Sequence, residues 1–121
     1  LARVGKSCVI LESTAHLGGL SAGGLSHTDF GRKEAIGGMS REFYREVGRA
    51  YGVEEEWKFE PKVAEEVFER WARESGAQVF KREYIREVRV EGRRIVSVHT
   101  QSGLNVWARA FLDCSYEGDL Y

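Results

Sequence analysis

The chain has 121 residues, within the usual size of one domain, with 42% hydrophobic and 31% charged residues and a net charge of -1. That balance gives no electrostatic case for nucleic acid or an anionic membrane surface as partner, and no apolar run approaches the roughly 18 to 20 residues of a membrane span. Cys8 and Cys114 show no C-x-x-C spacing, so a redox-active dithiol has no support.

The chain starts at Leu1 rather than Met and stops at "EGDLY" without a helix-closing or turn signal, so it reads as a fragment of a longer chain. Compartment is therefore left open, with the cytoplasm as default. "LARVGKSCVILE" reads as the end of a helix, closed by Gly5, then a turn and a strand. The continuous apolarity of "SCVILE" predicts a strand buried on both faces, as in a parallel sheet. Cys8 and Cys114 lie in apolar stretches and are expected as buried small hydrophobes, with a structural disulfide left open.

"HLGGLSAGGLSHTDFG" follows, and seven of the fourteen glycines fall between Leu17 and Gly38. Glycine is costly to order, and a flexible linker would lack the interleaved Leu17, Leu20, Leu25, Phe30, Ile36 and Met39. The pattern predicts an ordered loop, packed on one side and closely approached on the other.

Met39, Phe43, Val47 and Tyr51 recur every four residues and predict an amphipathic helix, with Ser40 as its cap and Gly52 as its end. Glu54 to Glu56 read as a solvated loop. A second helix is expected from Pro61 to Gly76, with Val63, Val67, Phe68 and Trp71 on one face. "AQVF" reads as a short strand. Residues 84–108 alternate apolar and polar through the turns "EGR" and "QSG", which predicts an antiparallel meander of about three strands with His99 solvated. "ARAFLDCS" is expected to re-enter the buried sheet as a last strand. Strands alternating with helices give the fold class: α/β, a partial Rossmann-like domain spanning 1–121, a parallel sheet with helices plus an antiparallel meander inserted before the last strand.

Glu12 ends the first strand. In dinucleotide-binding folds an acid at that place bonds ribose hydroxyls, about 20 residues after a G-x-G-x-x-G loop, which here would precede Leu1. Other signals point elsewhere and carry less. "DFG" at Asp29 to Gly31 lacks the other kinase motifs. His16, His27 and His99 have no metal-ligand spacing, so no metal is expected. The basic residues from Lys81 to Arg94 are interleaved with glutamates, which argues against nucleic acid. Core packing accounts for Trp71, while Trp57 and Trp107 fit either core or surface.

"GKSCVILESTAHLGGLSAGGLSHTDFG", "AIGGMSREFY", "FEPKVAEEVF" and "FLDCSYEGDL", in this order, resemble FAD-dependent oxidoreductases with a glutathione-reductase-like FAD domain, and within them a large bacterial branch. The resemblance covers nearly the whole chain and implies roles position by position. Glu12, with Ser13 beside it, would hold the adenosine ribose. His16, Leu17, Gly18 and Gly19, with Gly23 and Gly24, would pass close to the pyrophosphate and flavin. Main-chain groups at Ile85 would meet the adenine. Asp113, Ser115, Gly118 and Asp119 match the closing segment near the ribityl-pyrophosphate part, and Cys114 departs from it where a small residue such as Ala is expected. The implied function is hydride or electron transfer between a small-molecule substrate and FAD in the full-length enzyme, with no catalytic acid or base identified in this segment. Missing its phosphate loop, the 121-residue piece is expected to be inactive and to bind FAD poorly by itself. The alternative is a dinucleotide-binding regulatory or structural module without turnover. A tRNA-modifying flavoprotein would need a basic surface that this segment lacks. Oligomeric state is not legible.

Overall fold

A computed structural model describes residues 1–25, 27–118 and 120 of the chain. A 3-10 turn at Ala2–Val4, closed by Gly5 in the left-handed conformation, leads into strand β1, Val9–Glu12. The glycine-rich segment holds a short helix α1, Gly19–Ala22, and a 3-10 turn at Lys33–Ala35. Helix α2 spans Gly38–Tyr51 and helix α3 spans Pro61–Ser75; Gly52 and Gly76 end them in left-handed geometry and Pro61 sits at the first helical position. Strands β2 (Gln78–Lys81), β3 (Ile85–Glu91), β4 (Arg94–Thr100) and β5 (Asn105–Trp107) follow.

The fold is α/β. β1 and β2 form a two-stranded parallel sheet, in which the Gln78 amide donates to the Cys8 carbonyl and the Glu83 amide to the Glu12 carbonyl, each at 3.0 Å. β3, β4 and β5 form an antiparallel meander in that order. The chain divides into two compact units, Leu1–Ile10 with His16–Val79, and Leu11–Ala15 with Phe80–Tyr121.

In the first unit α3 packs against both α1 and α2. The core is aromatic: Phe43, Val47, Phe59, Ala64 and Val67 are buried, and Tyr44, Val63, Phe68 and Trp71 lie against them. The Phe43 and Phe68 rings stack at 4.7 Å between centroids, and Tyr44 stacks on Trp57 at 3.8 Å. Such pairs add roughly 0.5–1.5 kcal/mol each beyond area burial. Of the predicted face of α2, Phe43 and Val47 turn inward while Met39 and Tyr51 at its two ends stay exposed; on α3 Val67 is buried, with Val63, Phe68 and Trp71 packed beside it.

In the second unit the meander is two-faced. Val88, Val98 and Val106 align across the strands on one face, with Val98 buried; Arg89, Ser97 and Trp107 align on the other. No described helix is long and apolar enough to cross a membrane.

Several sequence expectations are corrected. Helix α2 begins before Ser40, with Gly37 in the capping position and no side-chain cap, because the Gly37–Gly38 backbone enters the first turn ahead of the serine. β1 is not covered on both faces: Val9 is exposed and Cys8 half-buried, in a sheet that among the described residues has only β1 and β2. Cys114 is exposed, and both thiols are free. Leu20, Leu25 and Met39 are exposed, and Phe30, though 38% exposed, meets the buried Trp57 edge-on at 5.2 Å, so within the first unit the glycine segment packs through Leu17, Ala22 and one side of Phe30. His99 is half-buried on β4 rather than solvated. Glu55 is no free loop acid; it takes Arg41 Nε at 2.6 Å and Arg45 Nε at 3.2 Å. "ARAFLDCS" forms no strand among the described residues, and Leu112 is exposed, because Asp113 draws nearby amides to its own side chain instead of leaving them for a ladder.

Candidate functional site

The expected cofactor residues fall into two groups, one in each compact unit. The second unit contains Glu12, Ser13 and Ile85. β1 ends at Glu12, whose backbone carbonyl accepts the Glu83 amide at 3.0 Å; Thr14 C=O accepts the Arg82 amide at 2.9 Å. The two bonds bring the tip of β1 and the run 82–85 together. Glu12 Oε1 accepts the Thr14 amide at 2.7 Å, which folds the carboxylate over its own turn with the exposed Ser13 between. Glu12 Oε2 makes no hydrogen bond among the described residues. Ile85, half-buried, opens β3 opposite Thr100.

Residues 82–84 were invisible to sequence reasoning. "KREY" contains neither Gly nor Pro, yet Arg82 takes φ 61°, the one positive value at a non-glycine residue among those described. Such a conformation costs roughly 1–2 kcal/mol for a residue with a Cβ and persists only where neighbours hold it.

Asp113, Ser115 and Gly118 build a closed loop in the same unit. Asp113 Oδ1 accepts the Ser115 amide at 2.8 Å and its hydroxyl at 2.7 Å, and Oδ2 accepts the Leu120 amide at 3.0 Å. Ser115 Oγ in turn accepts the Gly118 amide at 2.9 Å. The Ser115 hydroxyl, then the Leu120 and Ser115 amides, hold the Asp113 carboxyl below the usual carboxylate range. Both Asp113 oxygens are thus committed to the loop's shape. Asp119 lies outside the described residues.

The first unit contains His16, Leu17, Gly18, Gly19, Gly23 and Gly24. His16 Nδ1 lies 2.8 Å from Glu65 Oε1, which ties the start of the glycine segment to α3. Leu17 is buried. Gly18, with φ 112°, is pressed against α3: a Cβ there would lie 2.6 Å from Phe68 Cε2 and closer still to Cδ2. Its bareness serves the aromatic core. Gly19 starts α1, and the Gly23 amide closes it with a 2.8 Å bond to the Gly19 carbonyl. Gly24 differs: φ is 125°, and a Cβ there would meet nothing within 4 Å, so this backbone stands clear on that side.

In chain order these parts are a strand ending on an acid, a glycine-rich turn, two helices and a meander. A sequence model of the family described as FAD dependent oxidoreductase matches residues 1–121, the whole chain. The chain belongs to the FAD dependent oxidoreductase family. No curated protein and no solved structure matches it. For an FAD dependent oxidoreductase a flavin-linked redox role follows from the family. Among the described residues no group of three or more His, Cys, Asp and Glu side chains is arranged to hold a metal ion.

Proposed function

We propose that this chain holds FAD for an oxidoreductase that moves a hydride or electron pair between a small-molecule substrate and the flavin. The match of the family over all 121 residues carries the reading. The donor set of the second unit supports it: a carboxylate with one oxygen uncommitted, at a strand tip beside the main chain of 82–85, suits a ribose diol and an adenine edge. In the first unit, the clear backbone at Gly24 suits a diphosphate, which needs N–H groups unobstructed by a Cβ.

The roles divide accordingly. Glu12 binds ribose hydroxyls through Oε2, with Ser13 beside it, and Ile85 meets the adenine through its main chain. His16, Leu17, Gly18, Gly19, Gly23 and Gly24 line the diphosphate and flavin side; Asp113 and Ser115 shape the closing loop that presents Gly118. When bound, FAD supplies the redox chemistry, and these residues bind and orient it.

The test is flavin absorbance in the purified full-length protein that contains these residues, together with Glu12→Ala. Losing a hydrogen bond to a charged group is worth about 1.5–3 kcal/mol, so FAD affinity should fall roughly ten- to hundredfold. A colourless protein that takes up no added FAD ends the reading. Unchanged affinity in the variant removes Glu12 from its role.

A further inference from the structure

The run 82–85 links β2 to β3, and its strained residue Arg82 needs restraint from outside. Two restraints come from the end of β1 and the turn after it: the Glu83 amide donates to the Glu12 carbonyl and the Arg82 amide to the Thr14 carbonyl. Two more come from the turn between β4 and β5. The Gln101 amide donates to the Tyr84 carbonyl at 2.9 Å, and Ser102 Oγ donates to Glu83 Oε2 at 2.6 Å.

The hydroxyls behind Glu83 run in one direction. An ionised carboxylate only accepts, so the Ser102 hydrogen goes to Glu83 and Ser102 Oγ must accept from Thr100 Oγ1, 3.0 Å away. Thr100 Oγ1 accepts in turn from the Leu104 amide at 3.2 Å. Thr100 is almost fully buried, which anchors the chain of bonds in the meander. The Ser102 hydroxyl first, and then the Thr100 hydroxyl, keep the Glu83 carboxyl below its ordinary range. Glu83 therefore bridges two elements: its amide holds the tip of β1 at Glu12, and its carboxylate holds the β4–β5 turn.

We infer that Glu83 and Ser102 are positioning residues for the nucleotide, clasping the main chain of 82–85 so that it and Glu12 keep one geometry for the adenosine end of FAD. The inference rests on the FAD reading above. Neither side chain needs to touch the cofactor. The β4–β5 turn is thereby a determinant of affinity, although it carries none of the residues assigned to the cofactor.

The experiment uses the full-length protein that contains these residues, with FAD titrated by flavin fluorescence, in Ser102→Ala, Ser102→Thr and Glu83→Gln. Arg89→Ala serves as control, since it breaks an exposed ion pair with Glu91 elsewhere in the meander. Losing one charge-assisted hydrogen bond at an accessible site should weaken FAD binding about three- to tenfold in Ser102→Ala and Glu83→Gln. Ser102→Thr, which keeps the hydroxyl, should stay within about twofold of the parent, as should Arg89→Ala. Amide exchange at Glu83 should quicken in Ser102→Ala and not in Ser102→Thr. If the parent binds FAD and Ser102→Ala binds equally well, or Ser102→Thr is as weak as Ser102→Ala, the clasp is overturned while the FAD reading stands. A parent that takes up no FAD overturns the reading itself, and the clasp with it.

Discussion

Gly18→Ala should unfold the first unit far more readily than its size suggests. The new methyl would stand 2.6 Å from Phe68 Cε2, nearer still to Cδ2, and 3.1 Å from the Ala22 Cβ. Phe68 has little freedom to retreat, because its ring stacks on Phe43 at 4.7 Å and meets Trp71 edge-on at 6.4 Å. Overpacking of this kind costs about 1–3 kcal/mol. The backbone adds about 1–2 kcal/mol, since φ at Gly18 is 112° and a Cβ disfavours it. Together these reach roughly 2–5 kcal/mol, a large part of the 5–15 kcal/mol typical of a domain. Gly24→Ala is the matched control, with φ 125° and nothing within 4 Å of the added carbon, and should lose only the backbone part, about 1–2 kcal/mol. Urea unfolding followed by Trp fluorescence measures both, and Phe68→Ala in the Gly18→Ala background should bring the cost of the glycine change down to the backbone part. Equal losses for Gly18→Ala and Gly24→Ala would refute the reasoning, because the Phe68 contact would then contribute nothing.

Two further outcomes follow from the hydrogen bonds. Tyr44→Phe removes the 3.2 Å bond to Thr28 Oγ1 but keeps the stack on Trp57, and should cost about 0.5–1.5 kcal/mol with Trp57 emission unchanged; a shifted emission maximum would show that the hydroxyl also sets the ring geometry. Stability should also fall with acid. Arg41 lowers the Glu55 pKa, Arg3 that of Glu42, the Lys58 and Trp57 amides that of Glu56, and the Ser115 hydroxyl that of Asp113. The unfolded chain then binds protons first, so this stability is fully present above the ordinary carboxylate range of about 4 and drains as pH drops through the lower folded values. Urea midpoints between about pH 6 and pH 3 measure it, and Glu55→Gln should flatten the slope; a slope unchanged by that substitution would take Glu55 out of the account.

The helices were legible because their signals are local. Met39, Phe43, Val47 and Tyr51 mark one face, and Pro61, Gly52 and Gly76 mark ends, each within a turn of the structure it specifies. The candidate site was legible only at its strand tip: Glu12 closes an apolar run. Its support was not. Arg82 to Tyr84 carry no turn residue, and what fixes them are carbonyls at Glu12 and Thr14 and a turn at Gln101 and Ser102, all distant in sequence. Asp113 illustrates the opposite error. "FLDCS" reads as a strand from its apolar residues, but the aspartate's two oxygens take the Ser115 and Leu120 amides and curl the chain instead.

Composition and periodicity were enough to determine the α/β class, both long helices and the meander, and the resemblance of the quoted blocks pointed to the FAD dependent oxidoreductases, the family whose model matches the chain. Tertiary structure decided why particular residues stand where they do. Gly18 is bare for the sake of Phe68, 50 positions along the chain, Gly24 stands clear, and Glu83 joins two elements that no pattern connects. The physical reason is range: backbone preference and hydrophobic period act over a few residues, whereas a steric contact or a shared hydrogen bond exists only once the chain has brought its distant parts together.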